Sequence, residues 1–110
     1  MSVTVNIYYT GADGKARSFA EEMVTSGTVD AIRAAEGNLR YEYFFPMDDG
    51  ETLLLIDTWT DQAAIDRHHA SPMMAKIAQL RDAYDLHMKV ERYISDEGGA
   101  PAGDERFIRR

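Results

Sequence analysis

Thr52-Leu53-Leu54-Leu55-Ile56-Asp57-Thr58-Trp59 is the stretch that decides the fold. A strand sends alternate side chains to opposite faces, so Leu53 and Leu55 share one side while Leu54 and Ile56 share the other. An antiparallel sheet covered by helices on one side needs only one apolar face. The second apolar face here must be covered by something the chain itself does not contain, and an identical sheet is the simplest two-fold solution. Residues 39–45 repeat the theme, with Leu39, Tyr41, Tyr43 and Phe45 on one side and Phe44 beside Arg40 and Glu42 on the other.

Working outward, Val3, Val5, Ile7 and Tyr9 alternate with Thr4, Asn6, Tyr8 and Thr10, which reads as a first strand. Gly11-Ala12-Asp13-Gly14 is a turn by composition. Phe19, Ala20, Met23 and Val24 then follow helical spacing; the helix bends near Ser26-Gly27, is recapped by Thr28, and runs through Val29 and Ile32 to a stop at Gly37. Pro46 ends the second strand, and Asp48-Asp49-Gly50 forms a hairpin-like turn into the third. Thr60 is placed to cap a short helix carrying Ala63, Ala64 and Ile65. Ser71-Pro72 restarts a helix, because proline at the first helical position lacks only an N–H that would go unbonded. Met73, Ile77, Leu80 and Tyr84 form its stripe, and residues 86–94 make the last strand. The order is βαββαβ, an α+β domain over residues 1–94. A Gly-, Pro- and Asp-rich tail follows at 95–110, with Phe107-Ile108 as its apolar anchor.

The 110 residues fit one domain, and 45% hydrophobic with 28% charged is an ordinary globular balance. A net charge of −7 disfavours nucleic acid and anionic membrane, since affinity for phosphate comes from Lys and Arg. No apolar run approaches a membrane span, no secretory signal is visible, and a cytoplasmic location is expected. Without cysteine there is no disulfide, thiolate nucleophile or zinc ribbon. Asp66, His68 and His69 lie close in sequence, but neighbouring helical residues point roughly 100° apart, so no metal is expected. The turn at Gly11 lacks phosphate-loop spacing, and no G-x-S-x-G elbow supports a hydrolase.

His68 is the most interesting titratable group. It can hydrogen-bond a ligand and exchange a proton near neutral pH, or cap the helix that it ends. Asn6 sits mid-strand, where an amide serves either a ligand or a structural bond. Tyr41, Tyr43, Trp59, Met73, Met74 and Tyr84 read mostly as core, with a fraction free to line a cavity.

Taken in order, Glu36-Gly37-Asn38-Leu39-Arg40-Tyr41, the strand ending in Trp59, Asp61 with Ala63-Ala64, and His68-His69-Ala70-Ser71-Pro72 resemble the antibiotic-biosynthesis monooxygenase (ABM) superfamily, over roughly residues 3–94. The resemblance implies a ferredoxin-like sheet with helices on one face, and two such sheets meeting as a dimeric α/β barrel. The homodimer would carry the 95–110 tail packed on the partner subunit. The resemblance also implies a monooxygenase without cofactor, in which an electron-rich quinol or phenol activates dioxygen and the protein supplies a dry pocket. In that scheme His68 is the base or orienter and Asn6 its polar partner, while Tyr41, Trp59, Met74 and Tyr84 shape the pocket. The haem-degrading branch departs from this chain: Asn6 fits its first-strand Asn, but His68 falls where its Trp would be and Ala78 near its axial His. Many members also carry a His where Met73 stands. The alternative is a non-catalytic dimeric module that binds a small hydrophobic metabolite, since the fold hosts varied roles.

Overall fold

The structure, a computed structural model, describes residues 1–96 and 98–109. Four strands form one antiparallel sheet in the order β2-β3-β1-β4: β1 Val3–Thr10, β2 Asn38–Phe44, β3 Thr52–Trp59 and β4 His87–Ile94. Helices α1 Lys15–Thr25, α2 Thr28–Arg33, α3 Gln62–His69 and α4 Pro72–Ala83 connect them, and a short 3₁₀ turn spans Ala102–Phe107 in the tail. This is the expected ferredoxin-like α+β domain.

Register fixes which residues share a face. Val3, Val5, Ile7 and Tyr9 stand opposite Trp59, Asp57, Leu55 and Leu53, and Tyr41 and Tyr43 stand opposite Asp57 and Leu55. The helices cover this face, and Tyr9, Leu53, Leu55 and Trp59 are fully buried there beneath Phe19, Met23, Ile32 and Ile77. The other face carries Thr4, Asn6 and Tyr8 beside Leu54, Ile56 and Thr58, and the helices of the described residues pack on the opposite side. Phe44 and Tyr93, on its edge strands, are 38% and 50% exposed. On the helix side the cover also stops short of β4, where Met88, Val90 and Ile94 are exposed.

The first helical run ends at Arg33 with Ala34 as its cap, not at Gly37. Gly37 instead turns the chain into β2 at φ 88, in the left-handed region that favours glycine. A Cβ there would lie 2.5 Å from the Ala64 Cβ and 3.0 Å from the Thr60 hydroxyl. That close approach lets Thr60 N–H donate to the Gly37 carbonyl at 2.8 Å, seating the start of α3 on the start of β2. Asp61, not Thr60, caps α3, its carboxylate accepting from Ala64 N–H at 2.9 Å. The Ser71 hydroxyl donates backwards to the His68 carbonyl at 2.7 Å, closing α3 rather than capping α4. The β2 register shifts between Asn38 and Arg40, leaving Leu39 59% exposed despite its place in the alternation.

Among the described residues no helix is long and apolar enough to cross a membrane. Phe107 is 67% exposed in the single chain. The expected end of the tail, Arg110, lies outside the described residues.

Candidate functional site

β3 ends in Trp59, and the close seating of α3 on β2 brings the last turn of that helix back over the indole. His68 therefore stacks on Trp59, with ring centroids 4.8 Å apart and planes 28° from parallel. Both rings are buried, His68 to 8% exposure. Its Nδ1 is buried without a hydrogen-bond partner. Burial pushes the His68 pKa below the usual histidine value, with His69 and Arg81 adding to the effect; the imidazole is thus neutral at neutral pH and able to accept a proton. A cavity of about 200 Å³ opens beside the stack, lined by Trp59, Ala64, His68 and Met73, with the exposed Glu36 and Arg67 among its lining.

The Trp59 indole N–H donates to Asp57 Oδ1. Asp57 is 7% exposed on the helix-covered face. Burial pushes its carboxyl up to about 7, against the opposing pull of the indole donor and Arg81. Around it lie three tyrosine hydroxyls. Tyr41 and Tyr43 place theirs 3.4 Å apart, and Tyr9 accepts from Arg81 Nε at 3.0 Å. Burial raises the pKa of all three, so each stays a neutral phenol. The cavity itself offers one neutral imidazole in a mostly apolar wall, fit to bind a flat molecule and to take a proton from it. The Asp57–tyrosine cluster lies outside its lining and meets it only through Trp59.

The structure brings together only part of the sequence-predicted set. His68 and Trp59 meet. Tyr41 lies on the same sheet face but belongs to the tyrosine cluster, not to the cavity lining. Met74 packs partly buried against the core, and the cavity is lined by its neighbour Met73. Tyr84 caps α4, with its hydroxyl donating to Glu22 at 2.6 Å and its ring edge-on to Phe19. Asn6 is on the opposite face of the sheet from His68, with its Oδ1 buried and unpartnered. Among the described residues no three His, Cys, Asp or Glu side chains gather to hold a metal.

Asp57, Tyr9 and Arg81 were not singled out from the sequence. For Asp57 a signal existed. It stands between Leu55 and Trp59 on the buried alternation of an otherwise apolar strand face, where an unpaired carboxylate is expensive.

A family model described as antibiotic biosynthesis monooxygenase matches residues 2–80. Among solved structures, PA3566 from Pseudomonas aeruginosa is 24% identical over 86% of this chain and 93% of its own, with a TM-score of 0.73. Rv0793 from Mycobacterium tuberculosis is 24% identical over 90% of this chain and 100% of its own, with a TM-score of 0.71. SnoaB, a cofactor-independent oxygenase from Streptomyces nogalater, is 19% identical over 87% of this chain and 94% of its own, with a TM-score of 0.72. At these identities the structural likeness shows the fold. No curated protein matches the sequence.

Proposed function

Because the chain belongs to the antibiotic biosynthesis monooxygenase family, we propose that it is a cofactor-independent monooxygenase oxidising a small quinol or phenol with dioxygen beside the Trp59–His68 stack. The observation that carries this reading is the neutral, buried His68 in the wall of a mostly apolar cavity. The shared fold of SnoaB, itself a cofactor-independent oxygenase, supports it.

In this mechanism the substrate ring lies in the cavity with its hydroxyl against His68. The imidazole takes the phenolic proton, and the electron-rich phenolate reduces dioxygen. One oxygen atom enters the ring and becomes a quinone carbonyl; the other leaves as water with the two hydrogens that the ring has lost. A substrate ring seated against the indole and the apolar side chains of Ala64 and Met73 displaces water from around His68, which strengthens the proton transfer. A cavity of about 200 Å³ is smaller than the roughly 300 Å³ at which drug-sized sites begin, so a single-ring substrate fits better than a polycyclic one.

One observation favours the competing reading of a non-catalytic binding module: Asn6, the second polar residue expected at the site, is on the other side of the sheet. Oxygen uptake with a panel of hydroquinones and phenols separates the two. Removing the base in His68→Ala should slow uptake by about 10²–10⁴-fold. Protonation of His68 should abolish the wild-type rate as pH drops below the usual histidine range, because His68 must be neutral to act. Equal rates in both proteins would remove His68 from the chemistry. Uptake on no substrate, with saturable binding retained, would establish the binding module.

The helix-free face supports a homodimer as the working unit. Tyr8, Leu54 and Ile56 are only half-buried there, an apolar surface that a second copy of the sheet would cover. The tail at 95–110 would cross to that copy, with Phe107 as its anchor.

A further inference from the structure

Trp59 is the one tryptophan of the chain, and two side chains fix its indole. His68 stacks on its face, and Asp57 accepts its N–H. The Asp57 carboxyl is thus one link from the candidate base without touching the cavity itself.

The titratable and charged groups facing Asp57 come from β1, β2 and α4. They are Tyr9 from β1, Tyr41 and Tyr43 from β2, and Arg81 from α4. From β4, Arg92 stands opposite Val5 next to it in the register, but is exposed and donates to Gln62. Among the described residues no Lys or Arg forms an ion pair with Asp57, so the indole N–H is the donor that steadies its charge.

Resting on the reading of the cavity as a reaction site, we propose that Asp57 is a positioning residue whose charge sets how firmly Trp59, and the His68 imidazole stacked on it, are held. An ionised acceptor makes a hydrogen bond roughly twice as strong as a neutral one. The carboxylate therefore clamps the indole, and the neutral acid holds it loosely. Burial places the Asp57 change at about pH 7. Among the described residues, His68, the ring stacked on the indole, loses its proton below the usual histidine value, and Tyr9, Tyr41 and Tyr43 around Asp57 lose theirs above that of an ordinary tyrosine.

Intrinsic fluorescence tests this without turnover. Wild-type emission should show a step centred near pH 7. That step should survive in His68→Gln and in His69→Gln, whose ring lies 5.8 Å from His68. It should be lost in Asp57→Asn, an amide that still accepts from the indole but cannot ionise. A step that persists in Asp57→Asn, that disappears in either histidine variant, or that is absent from the wild type overturns the proposal. Should the amide not fold, the single indole N–H resonance of the wild type decides the matter. Titration centred near pH 7 upholds the role, and a flat shift from about pH 6 to pH 8 overturns it. Failure of oxygen uptake on every substrate would count against the proposed activity and leave these titrations untouched.

Discussion

Replacing Asp57 by Asn should change how stability depends on pH more than it changes stability itself. In the unfolded chain the carboxyl has its ordinary value of 3.8; in the fold, burial lifts it to about 7. Between these values the folded protein holds a proton that the unfolded chain has released. Stability from this residue is therefore present at low pH and lost as pH rises through the folded value. At about pH 5 the folded carboxyl is neutral and at about pH 8 it is ionised, while the unfolded one is ionised at both. At 1.36 kcal/mol per unit, the wild type should lose about 2–3 kcal/mol across that interval that the amide does not lose. All other titrating groups are common to both proteins and cancel in the difference. Urea unfolding followed by far-UV circular dichroism, at one protein concentration and both pH values, gives the four free energies needed. The stability of Asp57→Asn relative to wild type should rise by about 2–3 kcal/mol from the lower pH to the higher. Parallel pH dependences, equal within about 0.5 kcal/mol, would mean that Asp57 is not held in the dry environment described and would refute the reasoning.

Gly37→Ala should destabilise by about 2–4 kcal/mol, because a left-handed backbone and a clash with Ala64 act together; a shift of urea midpoint corresponding to under about 0.5 kcal/mol would contradict the packing described. Sedimentation at micromolar concentration should show a dimer for the wild type and a monomer for Ile56→Lys, with deletion of residues 95–110 weakening the dimer. A folded wild-type monomer would end the dimer reading, and an unaffected dimer after deletion would end the role of the tail alone.

Strand alternation, the break at Ser26-Gly27 and the restart at Pro72 were legible because each rests on local backbone chemistry that tertiary context did not override. Gly37 was legible as a special position but not for the right reason. Its glycine is required by Ala64, a residue brought close only by the fold. The pairing of Asn6 with His68 failed on a question of faces. Asn6 shares its alternation with Tyr8, and Ile7 shares its own with Tyr9; both sets are apolar enough to be buried, so spacing alone does not say which one the helices cover. Asp57 escaped because Leu53 to Ile56 made its strand read as apolar on both sides, and a short polar residue near the strand end did not stand out. Tyr84 belongs to the helical stripe expected of α4 and Met74 adjoins it. Which residues of that stripe reach a cavity depends on the rotation of α4, which the periodicity of one helix does not fix.

The sheet order β2-β3-β1-β4 also sets the timing of folding. β2 and β3 meet through a short hairpin and can pair early, but the central strand β1 takes its neighbours from the middle and the far end of the chain. Pairings of such long sequence separation pay loop closure before they gain any contact, which slows folding toward the range of milliseconds to seconds. At synthesis rates of about 5–20 residues per second, β1 waits on the order of several seconds for β4 to be made. During that wait the strand carrying Ile7, Tyr8 and Tyr9 has an open hydrogen-bonding edge, the kind of surface on which nascent chains pair with one another. Chains that stop short of β4 keep that edge permanently, and aggregation rather than a smaller soluble domain is their expected fate.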